Sequence, residues 1–132
     1  MPQTSNLSAR ELDEFRELLL EHRRQLEEGL EGLSEEVADE NRAGSASGLS
    51  NMPTHPADMG TDAFQRELAL SLQARQRRRI AEIDEAMARV EDGTYGICQA
   101  TGEAISKERL RAKPWARYSL DYERQIERTR RR

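Results

Sequence analysis

The side chains that could do chemistry in this 132-residue chain are few and widely spaced. They are one cysteine (Cys98), two histidines (His22 and His55), an acidic turn residue (Asp58), an arginine run (Arg77 to Arg79) and an arginine-rich end (Arg124, Arg128, Arg130, Arg131 and Arg132). Nucleophilic catalysis needs a nucleophile beside a base, phosphate chemistry a glycine-rich cradle, and carboxylate catalysis a convergent acid pair. None of these patterns occurs outside solvated helix faces, so an enzyme is not expected. A single cysteine excludes an internal disulfide, and the fold does not depend on an oxidising compartment. Cys98 reads as a small buried hydrophobe or as a reactive thiol. Burial is the common state of free cysteine, and nothing flanking Cys98 is strongly activating.

The elements that must position these residues are helical. Apolar residues make up 36% and charged residues 35%, too lean a mixture for a thick core, and Glu, Arg, Leu and Ala dominate it. Ser8-Ala9-Arg10-Glu11 matches a capping box and opens the first helix. Leu12, Phe15, Leu19, Leu26 and Leu33 recur at heptad-like spacing, with Leu30 and Val37 widening the stripe, and the helix is expected to fray near Asn41. Gly29 and Gly32 weaken its middle by roughly 1 kcal/mol each relative to Ala. A second helix, expected from about Asp62 to Val90, carries Phe64, Leu68, Leu72, Ile80, Ile83, Met87 and Val90. The polar run from Gln73 to Arg79 interrupts that stripe, and Gly93 stops the helix. Two such stripes cover each other in an antiparallel hairpin, which implies a monomer.

Charge follows the same division. Residues 1–60 carry 13 acids and 5 bases, and residues 61–132 carry 12 acids and 16 bases. Arg77 to Arg79 therefore read either as a solvated face paired with the acids of the first helix or as a docking patch for an acidic surface or an anion. Between the helices, about 42–61, Ala43-Gly44-Ser45-Ala46-Ser47-Gly48 has the composition of a flexible linker, and a loop of that length is functional or disordered more often than incidental. The following segment, His55-Pro56-Ala57-Asp58-Met59-Gly60-Thr61-Asp62, reads as a defined turn in which Asp58 or Thr61 caps the second helix. His55 could titrate near neutral pH, or be an ordinary turn residue.

The last forty residues change character. Tyr95-Gly96-Ile97-Cys98 and Gly102-Glu103-Ala104-Ile105 look like two short strands around a turn. A short helix over 106–112 stops before Pro114, and Ser119 caps a final helix from Leu120. Ile97, Ile105, Leu110, Trp115 and Leu120 are candidates for a small core. The organisation is thus a hairpin over 1–92, with a head and terminal helix over 93–132.

Two segments carry a resemblance. Val90-Glu91-Asp92-Gly93-Thr94-Tyr95-Gly96-Ile97-Cys98, followed by Arg109-Leu110-Arg111-Ala112-Lys113-Pro114, resembles the zinc-finger region of the DksA/TraR family. His55-Pro56-Ala57-Asp58-Met59-Gly60-Thr61 is similar to that family's hairpin tip, particularly in its stress and sporulation branch. The resemblance covers about Asn51 to Glu127. It implies a mainly α fold: a coiled-coil hairpin with a zinc-finger-like head. It also implies a cytoplasmic transcription regulator that enters the secondary channel of bacterial RNA polymerase without binding DNA, often together with guanosine tetraphosphate in stringent or stress responses.

The family's zinc needs four ligands in two close pairs. The corresponding positions here are Cys98, Thr101, Ser119 and Tyr122, with 17 residues between the pairs. Three of them cannot supply a thiolate, so the zinc is expected to be lost. The family's tip pattern, D-x-x-D-x-A, becomes His55, Asp58 and Gly60, which leaves Asp58 as the tip carboxylate. Arg109 and Lys113 match basic positions of the family's head, implying polymerase or anion docking. Glu82 and Glu123 stand where some relatives carry basic residues, which weighs against the alarmone.

Two other classes account for parts of the chain. A DNA-binding regulator would use the arginine-rich end, but a net charge of −4 gives no general attraction to phosphate. A coiled-coil adaptor explains the helices but not the 51–61 segment or the head. The N-terminus has neither a basic start nor an apolar run, and no stretch has the length of a membrane span, so a cytoplasmic location is expected.

Overall fold

The computed structural model describes residues 6–47 and 56–131, with side chains over 6–34 and 61–131. Four helices follow in order: α1 (Ala9–Ser47), α2 (Pro56–Asp92), α3 (Lys107–Ala112) and α4 (Leu120–Arg130). The fold is mainly α, a helical hairpin followed by a small head. Two compact units make it up: residues Met1–Arg23 with Ala81–Arg132, and residues Arg24–Ile80. Packing thus joins the head and the neighbouring hairpin ends into one unit, a different division from one at residues 92 and 93.

The capping box opens α1 as its residue types require. The Ser8 Oγ accepts from the Glu11 N–H and the Glu11 carboxylate accepts from the Ser8 N–H, both at 3.2 Å. In the head-bearing unit the two long helices run antiparallel, because Arg16 pairs with Glu91 at 3.3 Å and Arg23 with Asp84 at 2.8 Å. Phe15, Leu19, Ile83 and Ala86 are buried between them. In the other unit Gly29 lies against Gln76, and the Gln73 amide donates to the Ser34 hydroxyl at 3.3 Å, again an antiparallel register.

Several expectations need correction. Helix α1 continues to Ser47 rather than fraying near Asn41, and α2 starts at Pro56 rather than near Asp62. Proline suits the first helical position, since it has no N–H to leave unpaired and its φ is already helical. Asp58 and Thr61 therefore lie inside α2 and neither is its N-cap, while His55 is outside the described residues. The connection between the helices is correspondingly shorter than 42–61.

The apolar stripe of α2 also shifts. Phe64 and Leu68 are exposed, at 64% and 49%, whereas Ala69, Leu72, Gln73 and Gln76 are at least half-buried. Carried back from Ile83, the heptad register puts 76, 72 and 69 on the seam and turns 68 and 64 onto its flank. The polar run does not interrupt the seam; Gln73 and Gln76 fill it. Arg77 and Arg78 are exposed. In the head, the two expected strands reduce to a single antiparallel bridge between Ile97 and Ala104.

Candidate functional site

The head begins where α2 ends. Gly93, at φ 83°, takes the left-handed conformation, and the Thr94 N–H returns to the Arg89 carbonyl at 3.0 Å. This is the Schellman closure that glycine permits without strain. The Asp92 carboxylate accepts from the Thr94 N–H at 3.0 Å and from its hydroxyl, which holds Asp92 below the usual carboxylate range.

The turn delivers Tyr95 into the core. Its ring is fully buried, 5.7 Å from Phe15, and its hydroxyl donates to the Pro114 carbonyl at 2.8 Å. Burial pushes its pKa well above the usual phenol value. Beside it, Arg89 is 93% buried and donates to the Trp115 carbonyl at 3.3 Å. Its guanidinium pKa is lowered by desolvation and then by Arg117, an effect opposed by Glu85. Arg117 in turn pairs with Glu85. Trp115 meets the edge of His22 at 5.3 Å. None of these ties was expected from the sequence, although Tyr95 between Gly93 and Gly96 is the kind of aromatic a tight turn carries inward.

Expected core residues divide. Ile105 and Leu110 are buried, Ile97 and Trp115 half-buried, and Leu120 is 44% exposed. Leu120 is the first residue of α4, and the helix turns it outward. Tyr95, Cys98 and Pro114 occupy the interior instead.

The four positions of the family's knuckle are held together by hydrogen bonds. The Cys98 N–H donates to the Glu103 carbonyl at 2.7 Å, and the Cys98 carbonyl accepts from Gly102 at 2.9 Å. The Gln99 N–H reaches the Arg117 carbonyl at 2.9 Å and ties the first turn to the second. The Thr101 hydroxyl accepts from the Glu103 N–H at 3.2 Å. The Ser119 hydroxyl accepts from the Tyr122 N–H at 3.3 Å and caps α4, while the Tyr122 ring packs against Tyr118 with centroids 5.2 Å apart and planes tilted by 43°. The Cys98 thiol is buried; burial raises its pKa, but hydrogen bonds from Thr101, Ser119 and Ala100 outweigh this and lower it to about 7.

This donor set does not fit zinc. A structural site takes four sulfur, imidazole or carboxylate ligands in a tetrahedron. Here one thiol stands among two hydroxyls that serve as hydrogen-bond acceptors and a phenol in an aromatic pair. His22 is spent on Trp115, and among the described residues no group of three or more His, Cys, Asp or Glu could hold a metal ion.

The two basic candidates fare differently. The Arg109 side chain is only 11% exposed, pairing with Glu123 at 2.7 Å and donating from Nε to the Tyr118 carbonyl at 3.0 Å. It fastens α4 to α3. Lys113 is exposed, one residue past the end of α3. The side chain of the tip residue, Asp58, lies outside the described residues, and its backbone is in the first turn of α2. Among the described residues no helix is long and apolar enough to cross a membrane.

Comparison with known proteins agrees with this arrangement. Residues 93–121 match the prokaryotic dksA/traR C4-type zinc finger. The RNA polymerase-binding transcription factor DksA of Caulobacter vibrioides is 44% identical over 72 residues, which cover 54% of this chain and 51% of that one. The chain thus spans about half the length of that relative. General stress protein 16O of Bacillus subtilis is 32% identical over 126 residues, covering 95% of this chain and 69% of the relative. The structure of transcription factor DksA2 from Pseudomonas aeruginosa superposes with a TM-score of 0.76 at 34% identity, over 92% of this chain and 86% of that one. A capped helical hairpin, a knuckle-shaped head and these likenesses across nearly the whole chain place it together: it belongs to the DksA/TraR family.

Proposed function

We propose that this protein is a transcription regulator that binds bacterial RNA polymerase through the enzyme's secondary channel, without contacting DNA and without catalysing a reaction. The observation that carries the reading is the likeness to the DksA2 transcription factor over 92% of the chain. In this reading the hairpin enters the channel as a monomer and brings Asp58 towards the catalytic magnesium. A carboxylate near a bound cation changes the local electrostatics, because that ion is the largest charge in the site.

Affinity comes from α2 and the head. Lys113, exposed at the end of α3, is the docking contact. Arg109 contributes indirectly by holding α4 beside it, since its own charge is met by Glu123. Guanosine tetraphosphate would find Lys113 but an already neutralised Arg109, so transcription effects are expected to depend weakly on it.

Co-purification with RNA polymerase core enzyme tests the reading, followed by competition with a factor that occludes the secondary channel. Asp58→Asn should bind as the parent does while losing most of the effect on transcription in vitro. Lys113→Glu should raise the apparent Kd several-fold, as loss of a rim charge does. Failure to bind polymerase, or steeply salt-dependent retention on DNA, would refute it.

A further inference from the structure

We infer that the outer side of α2, in the unit of residues 24–80, docks a helix of RNA polymerase that carries acids beside an apolar ridge. Five positions at alternating spacings of four and three, Phe64, Leu68, Ser71, Arg75 and Arg78, lie on one side of α2, and all five are exposed. This is the spacing that builds a seam between two helices. Yet α1 packs on the adjoining side, where Ala69, Leu72, Gln73 and Gln76 are at least half-buried. An amide, Gln73, is therefore buried while Phe64 is left 64% exposed on the same helix. Two large apolar residues at one end of the stripe and two guanidinium groups at the other have no helix over them among the described residues.

Charge decides the kind of partner. Residues 63–80 carry 5 bases and 1 acid, whereas residues 24–40 carry 7 acids and 1 base. Neutralisation by α1 was one expectation for the arginine run. Among the described residues, however, Arg75, Arg77 and Arg78 are exposed and no ion pair holds them, while Arg79 is half-buried and has a partner. A helix laid along the stripe must place carboxylates opposite Arg75 and Arg78 and apolar side chains opposite Phe64 and Leu68. A second copy of this chain does not meet that need. Its α1 is acidic but exposes no large apolar residue over 24–34, and its α2 carries a single acid over 63–80. A phosphate backbone would meet the arginines and leave Phe64 and Leu68 in water. That the helix belongs to polymerase rests on the function proposed above; the stripe and the chemistry that fits it do not.

Binding of the full chain to RNA polymerase core enzyme, measured at low and high salt, tests the inference. Phe64→Ala with Leu68→Ala, and separately Arg75→Glu with Arg78→Glu, should each raise the Kd about tenfold or more. The charge reversal should also flatten the salt dependence of binding. Leu70 and Arg77 are exposed but off the stripe. Leu70→Ala and Arg77→Glu should therefore bind within about twofold of the parent. Because the stripe is exposed, its variants should melt with the parent. If the reversal does not fold, Arg75→Gln with Arg78→Gln makes the same comparison without new charge, and should weaken binding several-fold. Stripe variants that bind as tightly as the parent, or an Arg77→Glu loss as large as that of the reversal, would overturn the inference while polymerase binding stands. A parent that does not bind polymerase would overturn the inference together with the reading beneath it. If the parent is retained on RNA or duplex DNA and the reversal abolishes only that, the stripe is a nucleic-acid surface and the inference is wrong.

Discussion

The two units of this molecule use the same antiparallel helices but different seams. Where α1 and α2 approach the head, the seam is Phe15, Leu19, Ile83 and Ala86, all buried. It is reinforced by Tyr95 donating to Pro114, by Arg89 donating to Trp115, and by the Lys107–Glu11 pair at 2.5 Å. In the unit of residues 24–80 the seam mixes the half-buried Leu26, Leu33 and Leu72 with Gly29, Gln73 and Gln76, and the buried Gln76 side-chain carbonyl has no hydrogen-bond partner among the described residues. Helical periodicity alone gives a hairpin, but its stability depends on what fills each layer. An apolar layer gains about 25 cal/mol per Å² buried, whereas an unpaired buried carbonyl costs about 1–3 kcal/mol. The head-bearing unit should therefore be the stable part of the molecule and the other the more easily opened part.

Truncation of one seam residue in each unit gives the largest contrast. Leu19→Ala removes a fully buried side chain and should cost about 2–5 kcal/mol, read by urea denaturation. Leu26→Ala, at a half-buried position, should cost under about 2 kcal/mol. Native-state hydrogen exchange sharpens the contrast: amides of 24–34 and 66–80 should exchange through lower-energy openings than those of 13–23 and 81–92. Equal protection in the two sets would remove the difference between the units.

The two basic residues of the head offer a second, smaller contrast. Arg109→Ala leaves the Tyr118 carbonyl and Glu123 without their partner and should cost about 1–3 kcal/mol. Lys113→Ala touches no such network and should stay within about 0.5 kcal/mol of the parent. If the two substitutions cost the same, the Arg109 tie does not hold α4.

How far these features could be read from sequence depends on the range of the interaction. The capping box at Ser8 and Glu11, the Gly93 stop and the Ser119 cap are local, whereas Ser106, read as the first residue of a short helix, is the N-cap of α3. Residue type and spacing within a turn determine them, and each is present. The seam of α2 was legible only in part, because Phe64 and Leu68 are apolar enough to suggest a stripe while the heptad phase is set by Ile83 and by what α1 presents opposite. Arg89 gives no signal in the sequence, and Arg109 reads there only as a docking charge. Their burial comes from carbonyls and a carboxylate that lie 26, 9 and 14 positions away in the chain, a separation no periodicity encodes. The missing zinc ligands were legible from residue types, but the Gln99–Arg117 bond that ties one turn of the head to the other spans 18 positions and follows from no local pattern.

The weaker unit should also be the easier one to improve. Among the described residues a Cβ at Gly32 would meet nothing within 4 Å, and one at Gly29 would meet the Gln76 amide at 3.4 Å, an ordinary contact. Gly32→Ala should therefore stabilise by up to about 1 kcal/mol through helix propensity, and Gly29→Ala by a similar amount. Exchange protection should rise for the amides of 24–34 and change little in 13–23. A loss of stability in Gly32→Ala would mean that the glycine has a role in the native state.

The smallest expected effect is a pH dependence confined to the head-bearing unit. The Glu11 carboxylate is held below its usual range, first by the Lys107 ammonium and then by the Ser8 N–H, with burial opposing. A depressed carboxylate pKa adds stability above the unfolded value, and that contribution is lost as pH falls through the folded value. Between about pH 6 and 8 the parent should therefore melt slightly above Glu11→Gln, by a margin that solvent screening keeps small because the pair is exposed. From about pH 4.5 downward the margin should shrink and then vanish, as the parent's Glu11 also becomes neutral. Raising the salt concentration should narrow it at neutral pH for the same reason. Thermal melts of the two chains across this range provide the test. A margin that persists at pH 3 would assign the effect to packing or to the capping hydrogen bond rather than to charge.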